Sequence, residues 1–558
     1  MLNTHRIVIL TISLLTCISF LVMAWNGSYS ASKDDSVGYV LIAERISNGS
    51  YFHHDDVYDI AYKELGDNIS QSFLPSHHLG TAPGEIQSKY SLGLPMLLAA
   101  FKKIAGYKGY SVLSPFMNTI AVLGTGLLAY EIFRRGRYGL MIGALSALFL
   151  FVSPMFFIAG KIHPMTEGSV TAFLTFSTYF LLLAFRKDRL FFYVVAGLCF
   201  GYALSIRIPA ILFILPIAFI WATYVSQSYP LCRISSYFKL VQKHYSRVLI
   251  YAISVLVGGV LVFVHNIKST GNVANSTQLG HTRSFDATSL WSNNSKSVAG
   301  DIGGLERYGM TIDSNMILGI ETFFLGLLVL LIVNRKIAVF GLLWILPTYF
   351  LYSSWLNPYP RYVTPCLPVI FMVSAFFVVQ TLRYCFTKST IVKTLCVVSF
   401  LVFILVTSSK LSFHIENIYR VSLNNNQSEL PVPVFTSLDA KTLQSVKPKL
   451  QNAALIVYLG DRPEFRGVLE THLGVRTVVP FVYNTSDGSY LGKIDNKDMY
   501  TIISELQKID RDIYVVEHSS TEQFVEFCEF CDQMPMYQFR VTFMDGLLNL
   551  YYVNKVNL

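Results

Sequence analysis

Two adjacent carboxylates, Asp34 and Asp35, follow closely on the first apolar run of the sequence, which covers about residues 6–25. A carboxylate set beside a hydroxyl can take its proton and act as a general base. It can also do no chemistry, because Asp35 is placed to cap a helix by accepting from the N–H of Val37 or Gly38. Val37, Val40, Leu41 and Ile46 give that helix an apolar face at near-helical spacing, and Asn48-Gly49 ends it. An amphipathic helix of this kind lies on a bilayer surface and would hold both acids where a lipid headgroup arrives. A capping Asp beside a solvated Asp is the alternative. His53, His54, Asp55 and Asp56 come next, with His77, His78, His163, His265 and His281 further on. None has the fixed HExxH spacing, so no cofactor is certain and a divalent-metal site stays open.

The elements that must position these groups are set by composition. Of the 558 residues 53% are hydrophobic and 14% charged, against roughly 25% charged in a soluble domain. Mean hydropathy is +0.46. This excludes a water-soluble enzyme, and 41 Phe with 33 Tyr exclude a disordered chain. An α-helical polytopic membrane protein is predicted. About eleven apolar runs approach the roughly 20 residues needed to span a bilayer, near 6–25, 111–132, 138–158, 167–185, 190–206, 210–225, 248–265, 315–333, 338–352, 363–382 and 391–409. The shorter piece 92–104 ends in Lys102-Lys103 and reads as interfacial or re-entrant.

The net charge of +9 does not point to nucleic acid, since the basic residues sit in short loops between apolar runs. Clusters at 134–137, 186–189, 233–247, 335–336 and 383–393 then fall on one side, which the positive-inside rule makes cytoplasmic. The polar segments 26–91, 266–314 and everything after Lys410 face out. All seven Asn-x-Ser/Thr sequons, at Asn26, Asn48, Asn68, Asn275, Asn293, Asn426 and Asn484, fall in those segments. The loop 266–314, with His281, Arg283, Trp291, Arg307 and Tyr308, is long enough to act as a lid.

From about residue 410 the pattern changes. Short apolar strands at 454–459, 476–482, 512–517, 539–543 and 547–553 alternate with helical stretches at 440–446, 463–473 and 497–506. This predicts a soluble C-terminal α/β domain, giving a membrane module over 1–409, with outer loops 26–110 and 266–314, and an exocytoplasmic domain over 410–558. Gly460-Asp461-Arg462 lacks the glycine spacing of a phosphate loop, and Cys528 and Cys531 form one CxxC without a second pair.

The run from Asp35 through Tyr39, Ala43 and Glu44 to Asn48-Gly49 resembles the first-loop pattern of the GT-C glycosyltransferases that use polyprenyl-phosphate sugars. Protein O-mannosyltransferases and the lipid A aminoarabinose transferase are among them. Further segments resemble that family in order. They are Lys89-Tyr90-Ser91-Leu92-Gly93-Leu94-Pro95, His163-Pro164-Met165-Thr166-Glu167, the stretch from Gly197 to Arg207-Ile208-Pro209, and Arg361-Tyr362-Val363-Thr364-Pro365. The resemblance covers most of residues 1–382. It implies that Asp35, with Asp34 as near rival, is catalytic, and that Lys89, Tyr90, His163, Glu167, Arg207, Arg361 and Tyr362 bind substrate.

Breaking a sugar C1–phosphate bond releases an anion that is already stable, so such an enzyme needs a base and no general acid. Arginine can hold the departing phosphate with two donors. The expected partners are a polyprenyl-phosphate sugar donor, membrane lipid, and a glycan, lipid or protein acceptor. Two other classes remain open: a transporter of a lipid-linked saccharide, which should show paired half-molecule repeats or broken central helices, and a non-catalytic membrane scaffold. The charge asymmetry itself is testable. An impermeant thiol reagent applied to intact cells, or to spheroplasts where an outer membrane intervenes, should label a cysteine at position 450 and not one at position 135; the opposite pattern would invert the topology.

Overall fold

A computed structural model describes residues 14, 16–18, 20–21, 34–49, 53–65, 70, 74, 78–88, 90–106, 108–134, 138–154, 156, 165–226, 234–270, 312–313, 316, 319–353, 360–387, 453–459, 476–478, 481–483, 490–493, 512–518, 537–544 and 548–555, to which the following account is confined. In hydrocarbon each backbone N–H and C=O must be satisfied internally, so apolar runs fold as helices. The helices used below are α1 (Asp34–Ser47), α2 (Asp56–Leu65), α3 (Gly93–Ala105), α4 (Lys108–Phe133), α5 (Gly139–Phe151), α6 (Thr166–Lys187), α7 (Leu190–Ile206), α8 (Ile214–Ser226), α9 (Ile234–Gly258), α10 (Val260–Thr270), α11 (Glu321–Val333), α12 (Arg335–Ser353) and α13 (Leu367–Thr387). On length and composition, Lys108–Phe133, Thr166–Lys187 and Arg361–Tyr384 can each cross a membrane, and Tyr245–Gly258 with Val260–Lys268, bent by 48°, makes a fourth among the described residues. Gly139–Phe151, Leu190–Ile206, Ile208–Tyr224 and Glu321–Val333 are shorter apolar helices. The expected run 391–409 lies outside the described residues, as does most of 6–25.

Small residues bring the helices together, as expected where lipid tails remove the hydrophobic drive between apolar surfaces. A side chain at Gly143 would meet the Gly126 carbonyl at 2.7 Å, and one at Gly197 would meet the Tyr251 carbonyl at 2.5 Å. Gly168 abuts the Asn118 side chain, whose Nδ2 donates to the Phe156 carbonyl at 2.8 Å. Hydroxyls inside the bundle bond back to their own helix, as Thr171 does to Glu167 and Thr175 to Thr171 at 2.7 and 2.9 Å. Ser177 instead donates across to the Ala196 carbonyl at 2.8 Å, tying α6 to α7.

The pairings also give direction. Asn118 faces Gly168 and Gly124 faces Thr175, so α4 and α6 run parallel. The reversal at Asp188, left-handed at φ 51°, makes α7 antiparallel to both. The start of α4, the start of α6 and the end of α7 therefore share one face of the bundle. Helix α3, about 20 Å long at 1.5 Å per residue, is too short to span roughly 30 Å of hydrocarbon. A side chain at Gly93 would meet the backbone of Ser205 and Ile206 at 2.5 Å, and Gly109 abuts the backbone of Phe101 and Lys102. Helix α3 thus bridges the end of α7 and the start of α4 on that face.

Before α3, strands β1 (His53–His54), β2 (His78–Ala82) and β3 (Glu85–Ser88) form an antiparallel sheet in the order β1-β3-β2. Beside α2, Tyr58, Ile86 and Leu74 make a small separate core. Further on, five strands lie where the alternation predicted them: β4 (Ala453–Leu459), β5 (Arg476–Val478), β8 (Asp512–His518), β9 (Tyr537–Met544) and β10 (Leu548–Lys555), in the order β5-β4-β8-β10-β9. Strand β4 is parallel to β5 and β8, and β10 is antiparallel to β8 and β9. The expected strand 476–482 divides, its second part pairing as β6 (Phe481–Tyr483) with β7 (Tyr490–Lys493). The helices expected at 440–446, 463–473 and 497–506, and Cys528 and Cys531, lie outside the described residues.

Close packing at Gly197 yields a direct test. Gly197→Val drives a branched side chain into the α9 backbone, and overpacking of this kind costs about 1–3 kcal/mol. Thermal unfolding in detergent should occur several degrees lower; an unchanged melting temperature would show that α7 and α9 are not in contact at this point.

Candidate active site

Glu167 occupies the first turn of α6, where the helix dipole favours a negative charge. It is 1% exposed. Its Oε1 lies 3.0 Å from Nη1 of Arg207 and 3.3 Å from Nε of Arg361. One carboxylate thus faces two guanidinium groups from distant parts of the chain. Its other oxygen, Oε2, is buried without a hydrogen-bond partner among the described residues, so it retains acceptor capacity for a donor not supplied by those residues.

Local sequence explains how each cation arrives. Pro209 has no N–H to extend α7, and its ring would clash with the Ser205 carbonyl. Arg207 takes up an extended conformation, φ −152° and ψ 114°, after its N–H makes the last helical bond to Ala203. A 3-10 turn at Ile208–Phe213 then leads into α8, so the run expected to begin near 210 starts with this turn. Arg361 enters from a second 3-10 turn, Pro360–Cys366, directly before α13. The Arg207 guanidinium carbon lies 4.1 Å from the ring centroid of Tyr362 and 5.0 Å from that of Tyr352. The Arg361 guanidinium carbon is 5.5 Å from the Tyr362 ring. A planar guanidinium over an aromatic face gains cation–π attraction that strengthens as water is excluded.

Four of the residues singled out in the sequence, Glu167, Arg207, Arg361 and Tyr362, therefore form one cluster. Tyr90 stands one step away, its ring centroid 4.6 Å from that of Tyr39 on α1. Tyr39 is in turn a neighbour of Arg207. Asp34 and Asp35 open α1 about one turn before Tyr39; the structure describes their backbone and not their side chains. Since α1 already includes Asp34, Asp35 lies inside the first turn and not at the capping position expected of it. Helix α1 also departs from the expected surface helix, because Ser36, Tyr39, Val40 and Ala43 are buried, with Tyr39, Val40 and Ala43 in one cluster with Leu94 and Leu98 of α3. Lys89 and His163 lie outside the described residues, as do His281, Arg283, Trp291, Arg307 and Tyr308 of the long loop.

Two groups considered for metal binding are described by the structure. Asp55 Oδ1 accepts from the Tyr58 N–H at 2.9 Å, capping α2, and His265 is buried in α10 at 1% exposure. Among the described residues no group of three or more His, Cys, Asp and Glu comes together. The sequence reading missed Tyr352, which it took as the end of an apolar run; a tyrosine there looks like any interfacial aromatic. It also passed over Ser91, whose buried Oγ has no partner among the described residues.

The family model described as dolichyl-phosphate-mannose-protein mannosyltransferase matches residues 90–257. That segment carries Tyr90, Glu167 and Arg207. Together with the solved structures below, the match gives the chain the fold of the GT-C membrane glycosyltransferases. The crystal structure of ArnT from Cupriavidus metallidurans bound to undecaprenyl phosphate is similar over 97% of each chain, with TM-score 0.59 and 11% identity. The apo ArnT structure from the same organism is similar over 99% of this chain and 98% of that one, with TM-score 0.54 and 11% identity. No curated protein sequence matches the chain.

Glu167→Gln should lower stability, because removing one partner of a buried ion pair costs roughly 3–5 kcal/mol. That is an upper bound here, since Arg207 and Arg361 retain 14% and 19% side-chain exposure. Thermal unfolding of the variant measures the effect, and an unchanged melting temperature would remove Glu167 as their counter-charge.

Proposed function

We propose that the protein is a membrane glycosyltransferase that moves a sugar from a polyprenyl-phosphate donor to a hydroxyl of a glycan, lipid or protein acceptor, working at the outer face of the membrane. The observation that carries this reading is the cluster of two arginines about Glu167, on the bundle face next to the helix that opens with Asp34 and Asp35. The matched family model and the undecaprenyl phosphate bound by ArnT support the same donor class.

In the proposed reaction the acceptor oxygen attacks C1 of the sugar while Asp35 takes the hydroxyl proton. The C1–oxygen bond to phosphate breaks with its electron pair, and polyprenyl phosphate departs as an anion held by Arg207, Arg361 and Lys89. Base and phosphate stand on opposite sides of C1, so the configuration inverts. Glu167 Oε2, without a hydrogen-bond partner among the described residues, accepts from a sugar hydroxyl in this reading. Tyr90, Tyr362 and His163 complete the binding set. The chain is arranged as an eleven-span membrane module over 1–409 and an exocytoplasmic α/β domain over 410–558.

Purified protein supplied with a panel of undecaprenyl-phosphate sugars tests the reading by donor consumption. Asp35→Asn keeps the shape and removes the base, with an expected loss of about a hundred- to ten-thousand-fold in turnover. Arg207→Lys should depress both turnover and donor affinity, because an ammonium cannot reproduce the planar stack or the forked donors. Full turnover in Asp35→Asn with an inactive Asp34→Asn would move the role to Asp34. Full turnover in both would end the proposal.

A further inference from the structure

We infer that Glu44 and Lys102 form a latch that sets the position of Asp34 and Asp35, so that Glu44 is a positioning residue for the transfer proposed above; the inference rests on that reading. Helix α1 meets the bundle through Tyr39, Val40 and Ala43, which share a core with Leu94 and Leu98 of α3. Apolar contact is non-directional and does not by itself fix how far a helix is rolled or slid. Near the C-terminal end of α1 the attachment includes directional contacts. Glu44 Oε1 accepts from the Tyr110 hydroxyl at 2.7 Å, and Oε2 pairs with Nζ of Lys102. Lys102 Nζ also lies 3.2 Å from Ser47 Oγ. One carboxylate therefore ties α1 to the last turn of α3 and the first turn of α4.

The anchor is firm at both ends. Tyr110 is 1% exposed, and Gly109 abuts the backbone of Phe101 and Lys102, closing the corner between α3 and α4. The charged pair is partly buried, with side-chain exposures of 17% for Lys102 and 22% for Glu44, so water screens it less than a surface pair. At 1.5 Å per residue, Glu44 stands roughly 13 Å along α1 from Asp35. It touches no reacting atom and acts through the helix. Over that lever arm a rotation of about 5° displaces the acidic end by ~1 Å, and a misplacement of that size can cost a hundredfold in rate.

The test uses the full-length protein in lipid nanodiscs. Amide exchange by mass spectrometry comes first, since it needs no substrate. Glu44→Gln and Lys102→Met should each speed exchange across residues 34–41 at least tenfold and leave the amides of α4 to α7 unchanged, whereas Lys102→Arg should restore protection. With whichever undecaprenyl-phosphate sugar the wild type consumes, both variants should lose ten- to a hundredfold in kcat with donor KM within threefold. The double variant should lose no more than either single one, because all three break the same latch. Unchanged exchange at 34–41, or unchanged kcat in Glu44→Gln while Asp35→Asn is inactive, overturns the latch and leaves the proposed function standing. Normal turnover in both Asp34→Asn and Asp35→Asn would remove that function, and the positioning role with it.

Discussion

One carboxylate shared by two guanidinium groups is the interaction on which the face of the bundle depends. A buried charge without a partner is costly, and two like charges brought together would add repulsion. Glu167 relieves both, and it draws the end of α7 and the turn before α13 onto the start of α6. Tyr362 and Tyr352 close over Arg207 and replace water with aromatic faces. The fold thus gathers two cations around an acid whose other oxygen has no partner among the described residues.

Two kinds of packing hold that arrangement. Inside the bundle, glycines let α4, α5, α7 and α9 approach at backbone distance, and hydroxyls such as those of Thr171 and Thr175 return to carbonyls of their own helix, which offsets their desolvation. On the face of the bundle, polar contacts take over. Tyr202 donates to the Gly93 carbonyl at 2.9 Å, fixing the start of α3 beside the end of α7, and Glu44 fixes its other end to α1 and α4. At the opposite end of the bundle Glu131 lies 2.6 Å from Arg186, and Asp188 lies 2.6 Å from Arg247. These pairs tie the end of α6 to the end of α4 and the turn after α6 to the middle of α9.

Much of this was legible from residue order. Helix α7 begins and ends where the apolar run at 190–206 does, because Arg189 and Arg207 bound it. The strands β4, β8, β9 and β10 lie on the short apolar runs at 454–459, 512–517, 539–543 and 547–553. The role of α1 was read only in part. Its apolar positions predicted a surface helix, but Ser36 and Gly38 are buried as well, since small residues allow α1 to settle deeper than a hydrophobic stripe requires.

What the sequence determined by itself was therefore whatever depends on neighbours in the chain: which segments are helical, which loops carry positive charge, and that acids and cations mark the ends of apolar runs. Only the tertiary structure decided which of those charges meet. Glu167, Arg207 and Arg361 are separated by 40 and 154 residues, and nothing local couples them; their meeting follows from the directions of α6, α7 and α13. The same reason hid Tyr352, whose interfacial position looks ordinary until Arg207 is seen against its ring. It also hid Glu44, which reads as a polar residue on a surface helix until Lys102 and Tyr110 arrive from the next two helices.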